Sequence, residues 1–341
     1  MQAFVKYGNK PFEAELRSFP MPEPGENEVL VAVSGCGVCG SDLHAYEAAK
    51  GYEWVSPPVT LGHEFGGIVV AVGSSVSDFR EGDKVVVIGI QGCLVCADCR
   101  RGNTNLCRDR KVIGLNMDGG MASHAVVNAR HLIPVPEKVD ISQIALVEPA
   151  SVAMQALSKV RILPGDRVVV SGPGPIGLLC CMLATLHGAK VVLIGAEDDV
   201  AVRLAFAEKQ GITTVNATRD PELIGIATAF EGAAPDVWIE AAGVPSAFLS
   251  GVECLRQGGS LIVVGMYSQP VHWQPTLAVR RSLSFFFSYA SVDDDYRRVM
   301  QLMAGGLLDL SPLMSVYPIP EVKTAFEAAM KRQVIKPVLV P

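Results

Sequence analysis

The sequence predicts an α/β protein in which a β-rich domain is joined to a doubly wound parallel sheet. Three observations carry that prediction. Over residues 1 to about 150, short apolar runs alternate with turn signals, a barrel-like or sandwich-like pattern. From about Pro149 onward, strand-like and helix-like stretches alternate, the order that builds a parallel sheet. Between the first strand and the first helix of that second half lies Gly172-Pro173-Gly174-Pro175-Ile176-Gly177, a glycine turn of the kind that approaches a dinucleotide.

At 341 residues the chain is too long for one ordinary hydrophobic core, so two domains are expected. Hydrophobic residues make up 49% and charged residues 19%, a globular balance, and no apolar run approaches the ~18 residues of a membrane span. The formal charge of −6, without any block of Lys or Arg, argues against nucleic acid or an acidic membrane surface as partner. The opening residues 1–8 read as a strand and a turn rather than as a secretion signal, so a cytoplasmic protein is expected.

In order along the chain, strand patterns fall at 28–34, 67–72, 84–90, 122–127 and 131–135. The first runs into Gly35-Cys36-Gly37-Val38-Cys39-Gly40-Ser41-Asp42-Leu43-His44, a glycine-punctuated turn that puts a thiol at a strand end. About twenty residues later come His63 and Glu64, preceded by Gly62. Cys39, His63 and Glu64 make a three-ligand zinc set with the open fourth position that catalysis needs. A thiolate, a neutral imidazole and a carboxylate also balance the two charges of the metal. Cys36 and Cys39 form a competing Cys-x2-Cys half-site, but two thiolates from one turn would crowd the open position. Asp42 reads as a turn carboxylate or as an outer partner that orients His63.

The nine cysteines, read with a cytoplasmic setting, point to metal ligands and buried thiols rather than disulfides. Cys93, Cys96, Cys99 and Cys107 stand in one loop-like stretch as Cys-x2-Cys-x2-Cys-x7-Cys, which closes a tetrahedron around a structural zinc. Cys180, Cys181 and Cys254 lie in apolar helical patterns and behave as small hydrophobes.

In the second half, a buried strand at 167–171 leads into the glycine turn, a helix at 178–187 and a strand at 190–194. In that setting Gly172, Gly174, Pro175, Ile176 and Gly177 read as a pyrophosphate site at a helix N-terminus. Pro173 and Pro175 each remove one amide donor from it. After the second strand, Glu197, Asp198 and Asp199 repel a 2′-phosphate and favour NAD, although Asp198 is equally placed to cap the next helix. Arg203, able to reach a phosphate, keeps NADP as the alternative. A helix at 200–210, a strand at 236–241, a helix at 247–256 and a strand at 260–264 follow. Helices near 293–303 and 321–330 belong to a final stretch too short to fold alone, which returns to the first domain. The expected domains are therefore 1–149, 150–286 and the return segment 287–341.

Taken together these motifs resemble the zinc-dependent medium-chain dehydrogenase/reductase family, and within it the polyol (sorbitol-type) branch. The likeness spans the chain: the segment ending at His44, Gly62-His63-Glu64, the four-cysteine lobe, Glu148-Pro149-Ala150-Ser151-Val152 and the loop Gly172 to Gly177. It implies a GroES-like catalytic domain, a Rossmann domain, two zinc ions per chain, and reversible oxidation of a secondary alcohol to a ketone by a nicotinamide cofactor. By position it implies Cys39, His63 and Glu64 as catalytic zinc ligands, Glu148 as a fourth or exchanging ligand, and Ser41 and His44 as a proton relay. It also implies a homodimer or homotetramer formed through the edge of the Rossmann sheet. The chain departs from the polyol pattern at Ala45, followed by Tyr46, and at Ser288-Tyr289, both expected to face the substrate's far end. Competing readings are an amino-alcohol or threonine dehydrogenase, a zinc-free reductase on the same fold, and a nucleotide-binding scaffold without turnover.

Overall fold

A computed structural model describes all 341 residues. The chain forms two compact units, Met1–Ser151 with Ser291–Pro341, and Val152–Ala290.

The first unit is built on a seven-stranded sheet whose centre is the long strand Glu28–Gly37. That strand pairs antiparallel with Glu64–Val72, His124–Asn128 and Lys336–Val340. The register sets Gly37 opposite both Glu64 and Val338, so segments distant in sequence meet at one end of the sheet. Phe4, Tyr46, Phe65 and Phe326 fill the core beneath. Tyr46 is packed edge-on against Phe12 and Phe326, so it is a core residue and does not face a substrate.

Three local expectations are revised here. The turn after Val38 is the helix Gly40–Tyr46, begun by Cys39, whose N–H donates to Asp42 Oδ2 at 2.9 Å. The single run expected at 84–90 is two strands, Lys84–Val87 and Ile90–Gln91. They are parted at Gly89, whose N–H donates to the buried Tyr296 hydroxyl at 3.1 Å instead of to a neighbouring strand. Glu148, expected to be extended as the residue before a proline, lies in the first turn of the helix Val147–Leu157, where Pro149 disrupts no helical bond.

The second unit is a six-stranded parallel sheet in the order Thr213–Asn216, Lys190–Gly195, Arg167–Ser171, Val237–Glu240, Ser260–Val263, Ser284–Phe287. This is a doubly wound order that reverses next to its first strand, Arg167–Ser171. The two outermost strands went unassigned in the sequence; edge strands are short and carry the weakest apolar pattern. The helix expected at 200–210 starts as a π-turn, Val200–Leu204, and becomes α-helical over Ala205–Lys209. No helix is long and apolar enough to cross a membrane.

Candidate active site

The first cluster is assembled by two strand ends and one helix start. Cys39 caps the helix Gly40–Tyr46, while His63 and Glu64 open the strand Glu64–Val72. Gly62 makes the sharp turn before them: its φ is +97°, and a Cβ there would meet Cys36 Sγ at 2.5 Å. The donor atoms of Cys39, His63 and Glu64 all lie within 4.8 Å of one another. Cys36 stays outside this set, its Sγ against the Gly37 carbonyl, and burial pushes its thiol well up, so it remains protonated.

These residues suit zinc. Anionic donors crowd a nearly water-free place, and two buried atoms beside them, His63 Nδ1 and Asp42 Oδ1, have no hydrogen-bond partner and stand 3.7 Å apart. Burial disfavours a charged His63, yet Asp42 and Cys39 more than offset it and pull the imidazole upward, a tendency that a cation at the donors would replace. Asp42 itself is fully buried, which raises its carboxyl against the opposing pull of His63.

Glu148 is not part of the close donor set. It is buried beside it, where the missing side chain of Gly89 leaves room: a Cβ there would be 3.2 Å from Glu148 Oε1. Burial lifts its carboxyl to about 7, with His63 opposing and Glu64 adding to the rise. Ser151, one turn on, donates to the Glu148 carbonyl at 2.6 Å and lies 2.7 Å from Ser291 Oγ, which ties this helix to the return segment.

Lys336 was missed in the sequence. It is 2% exposed, its ammonium is ion-paired with Glu64 Oε2, and it donates to the Val38 carbonyl at 3.0 Å. Burial works against its charge, but Glu64 and Cys39 hold the ammonium above its ordinary range. The available signal was a lysine inside an otherwise apolar strand, Lys336–Val340, because lysine is almost never fully buried without a partner. Replacing Lys336 with Met should leave the Glu64 carboxylate buried and uncompensated. Unfolding of the zinc-stripped variant should be easier by about 3–5 kcal/mol, with part of the loss recovered on zinc loading. Equal denaturation midpoints with and without the lysine would contradict this.

Ser41 and His44 are three residues apart on one short helix, hence on the same face. His44 is exposed, with its ring 5.1 Å from that of Tyr52, and Tyr52 stacks on the half-exposed Trp54.

The second cluster, Cys93, Cys96, Cys99 and Cys107, also places its four donors within 4.8 Å. Backbone N–H groups point at the sulfurs: Cys93 N to Cys107 Sγ at 3.3 Å, Cys96 N to Cys93 Sγ at 3.4 Å and Cys99 N to Cys96 Sγ at 3.5 Å. Such donors favour thiolates: the backbone amides of Val95 and Cys96 lower Cys93 to about 7, while burial and the neighbouring thiols push Cys99 up to about 12. Four converging thiols with their own amide donors and no disulfide fit a closed tetrahedral zinc.

In the second unit, Gly172 turns the chain after the strand with a φ of +99°, and Gly174 begins the helix Pro175–Leu186. Nothing lies within 4 Å of a Cβ placed on Gly174, so a ligand can come close to the backbone there. Pro175 occupies the first helical position, where an N–H would be unpaired anyway, which leaves Ile176 and Gly177 as amide donors toward a pyrophosphate. Glu197 and Asp198 are exposed beyond the strand Lys190–Gly195. Arg203 turns inward and pairs with Asp199 at 3.3 Å.

Residues 25–137 match the alcohol dehydrogenase GroES-like domain and residues 175–305 the zinc-binding dehydrogenase domain. A sorbitol dehydrogenase of Halalkalibacterium halodurans is 33% identical over 100% of this chain and 99% of its own length. The chain belongs to the zinc-dependent medium-chain dehydrogenase/reductase family. A D-arabinitol dehydrogenase of Uromyces fabae is 31% identical, covering 98% of this chain and 96% of its own. An L-threonine 3-dehydrogenase of Coxiella burnetii is 30% identical over 95% of each. Among solved structures, a zinc-binding dehydrogenase of Sinorhizobium meliloti bound to NADP superposes with a TM-score of 0.90 at 29% identity, covering 100% of this chain and 99% of its own. An alcohol dehydrogenase of Escherichia coli complexed with NADH does so with a TM-score of 0.90 at 28% identity and the same coverage. This medium-chain dehydrogenase is thus a zinc-dependent oxidoreductase that interconverts an alcohol and a carbonyl compound with NAD(P).

Proposed function

We propose that this dehydrogenase oxidises a secondary hydroxyl of a polyol, sugar alcohol or diol to a ketone, at the cluster formed by Cys39, His63 and Glu64. The observation that carries this reading is the convergence of one thiol, one imidazole and one carboxylate, three donors with a fourth position left for substrate. Sorbitol and arabinitol dehydrogenases among the relatives support the polyol class. Cys39, His63 and Glu64 would hold the zinc, with Glu148, buried beside them, as a fourth or exchanging ligand. When bound there, zinc would supply the Lewis acidity that readies an alcohol hydroxyl to lose its proton. Asp42 orients this set by holding the Cys39 N–H and facing His63; Lys336 balances the Glu64 charge. Ser41 and His44 would carry the proton outward, and a nicotinamide bound beside the site would supply the hydride acceptor. The loop Gly172 to Gly177 holds the pyrophosphate. The lobe of Cys93, Cys96, Cys99 and Cys107 holds a second, structural zinc.

Nine free cysteines, four of them in one thiol cluster, fit a reducing cytoplasm. The occupant expected at the sheet's edge strand Ser284–Phe287 is a second copy of the chain, because Met266, Val279 and Phe287 are over 70% exposed in that unit.

A panel of polyols, vicinal diols and L-threonine, each with NAD and with NADP, tests the substrate class. Highest kcat/KM on a polyol or diol is expected, and highest kcat/KM on L-threonine would overturn it. The relay is tested separately. His44→Ala should slow alcohol oxidation by about one to two orders of magnitude, with partial rescue by added imidazole. Wild-type rates without buffer dependence would show that His44 only packs against Tyr52.

A further inference from the structure

Glu240 is a fully buried acid that no step of the proposed reaction uses. It ends the strand Val237–Glu240, level with Ser171 on the strand that leads into the glycine loop. Its Oε1 accepts the N–H groups of Ala242 and Gly243, both at 2.8 Å, and its Oε2 accepts the Tyr267 hydroxyl at 2.6 Å. Its backbone carbonyl accepts the N–H groups of Val264 at 2.8 Å and Gly265 at 3.0 Å. One residue thus fixes two loops, that after its own strand and that after the neighbouring strand Ser260–Val263. Burial raises its carboxyl, against the pull of Tyr267 and the two amides. Three donors on the carboxyl are the complement that an acceptor-only carboxylate needs.

These two loops pack directly on each other and on the glycine loop. A Cβ on Gly172 would stand 2.6 Å from the Ala242 nitrogen, and one on Gly243 would strike the Met266 carbonyl. A doubly wound sheet consists of two mononucleotide-binding halves that meet where the strand order reverses. Here Lys190–Gly195 and Thr213–Asn216 lie to one side of Arg167–Ser171, while Val237–Glu240 and Ser260–Val263 lie to the other. With the pyrophosphate on the glycine loop and the adenosine beside the acids after Lys190–Gly195, the loops fixed by Glu240 belong to the nicotinamide half.

We propose that Glu240, braced by Tyr267, is a positioning residue for the nicotinamide half of the cofactor, acting through the backbone of loops 241–244 and 264–267. This rests on the reading of Gly172 to Gly177 as the pyrophosphate site. Loops already held in one conformation bind more tightly, because less ordering has to occur when the ligand arrives. Removing the carboxylate leaves two amides and a hydroxyl without their acceptor, so the loops must rearrange to find others.

The test is titration calorimetry on the full-length protein, which needs neither zinc nor alcohol. NADH is compared with its adenosine half, 5′-AMP, and NADPH with 2′,5′-ADP, alongside the melting temperature of each variant. Glu240→Ala should weaken the dinucleotides by about 10- to 100-fold and leave the adenosine halves within about threefold. Glu240→Gln, which keeps an acceptor for the two amides, should recover most of that affinity. Tyr267→Phe, a milder change that keeps the core filled, should weaken the dinucleotides by about 3- to 10-fold. A merely structural role would lower the melting temperature and shift dinucleotide and adenosine half together. Equal losses for the two, or wild-type dinucleotide affinity in a folded Tyr267→Phe, would overturn the positioning role. A wild type that binds neither the dinucleotides nor their adenosine halves would instead overturn the pyrophosphate-site reading, and the positioning role with it.

Discussion

Cys39→Ala should purify folded and lose turnover by about three orders of magnitude or more. Stabilisation of developing charge by a catalytic metal amounts to several kcal/mol, and about 4 kcal/mol corresponds to about a thousandfold in rate. Cys39 is half-buried at the start of a short helix, and its backbone N–H, not its sulfur, donates to Asp42 Oδ2. Removing the sulfur therefore costs little in folding while it deprives zinc of one of three close donors. Circular dichroism and thermal melting should match the wild type, and kcat with the best substrate should collapse. A variant that retained turnover would place the chemistry elsewhere.

The opposite pattern is expected of Cys107→Ser. Cys107 is fully buried in a loop stretch whose ordered elements are only the short helix Ala97–Arg100, the 3-10 turn Thr104–Leu106 and two-residue strands. So little apolar burial leaves the lobe to be organised, on the proposed reading, by four thiolates around a metal. Structural zinc sites contribute about 10–16 kcal/mol where folding depends on them wholly, and several kcal/mol are expected here because the rest of the unit has its own core. Limited proteolysis should cut within residues 92–110 in Cys107→Ser and spare the wild type. Identical digestion and melting would remove the structural role.

Legibility in the sequence followed the range of the physics involved. Cys39, His63 and Glu64 declare themselves by residue type next to glycines, and the four lobe cysteines by their spacing. The parallel sheet is legible because each strand is followed by its own helix. Lys336 is different in kind: its partner Glu64 is brought to it by the register of two antiparallel pairings with Glu28–Gly37, which no local pattern encodes. The same holds for Glu148, whose place depends on the missing side chain of Gly89. Arg203 and Arg219 show the limit most clearly. Closeness in sequence favoured Arg203, but one extra residue in the π-turn carries it inward to Asp199, and the arginine that reaches Glu197 arrives from the next strand.

The central claim is that one chain holds two zinc ions with separate tasks. Metal analysis of purified wild type, Cys39→Ala and Cys107→Ser by plasma mass spectrometry tests it most directly. Two zinc ions per wild-type chain are expected, and about one in each variant, the remaining one structural in Cys39→Ala and catalytic in Cys107→Ser. A wild type with one zinc or none, or a Cys39→Ala chain that still holds two, would contradict it.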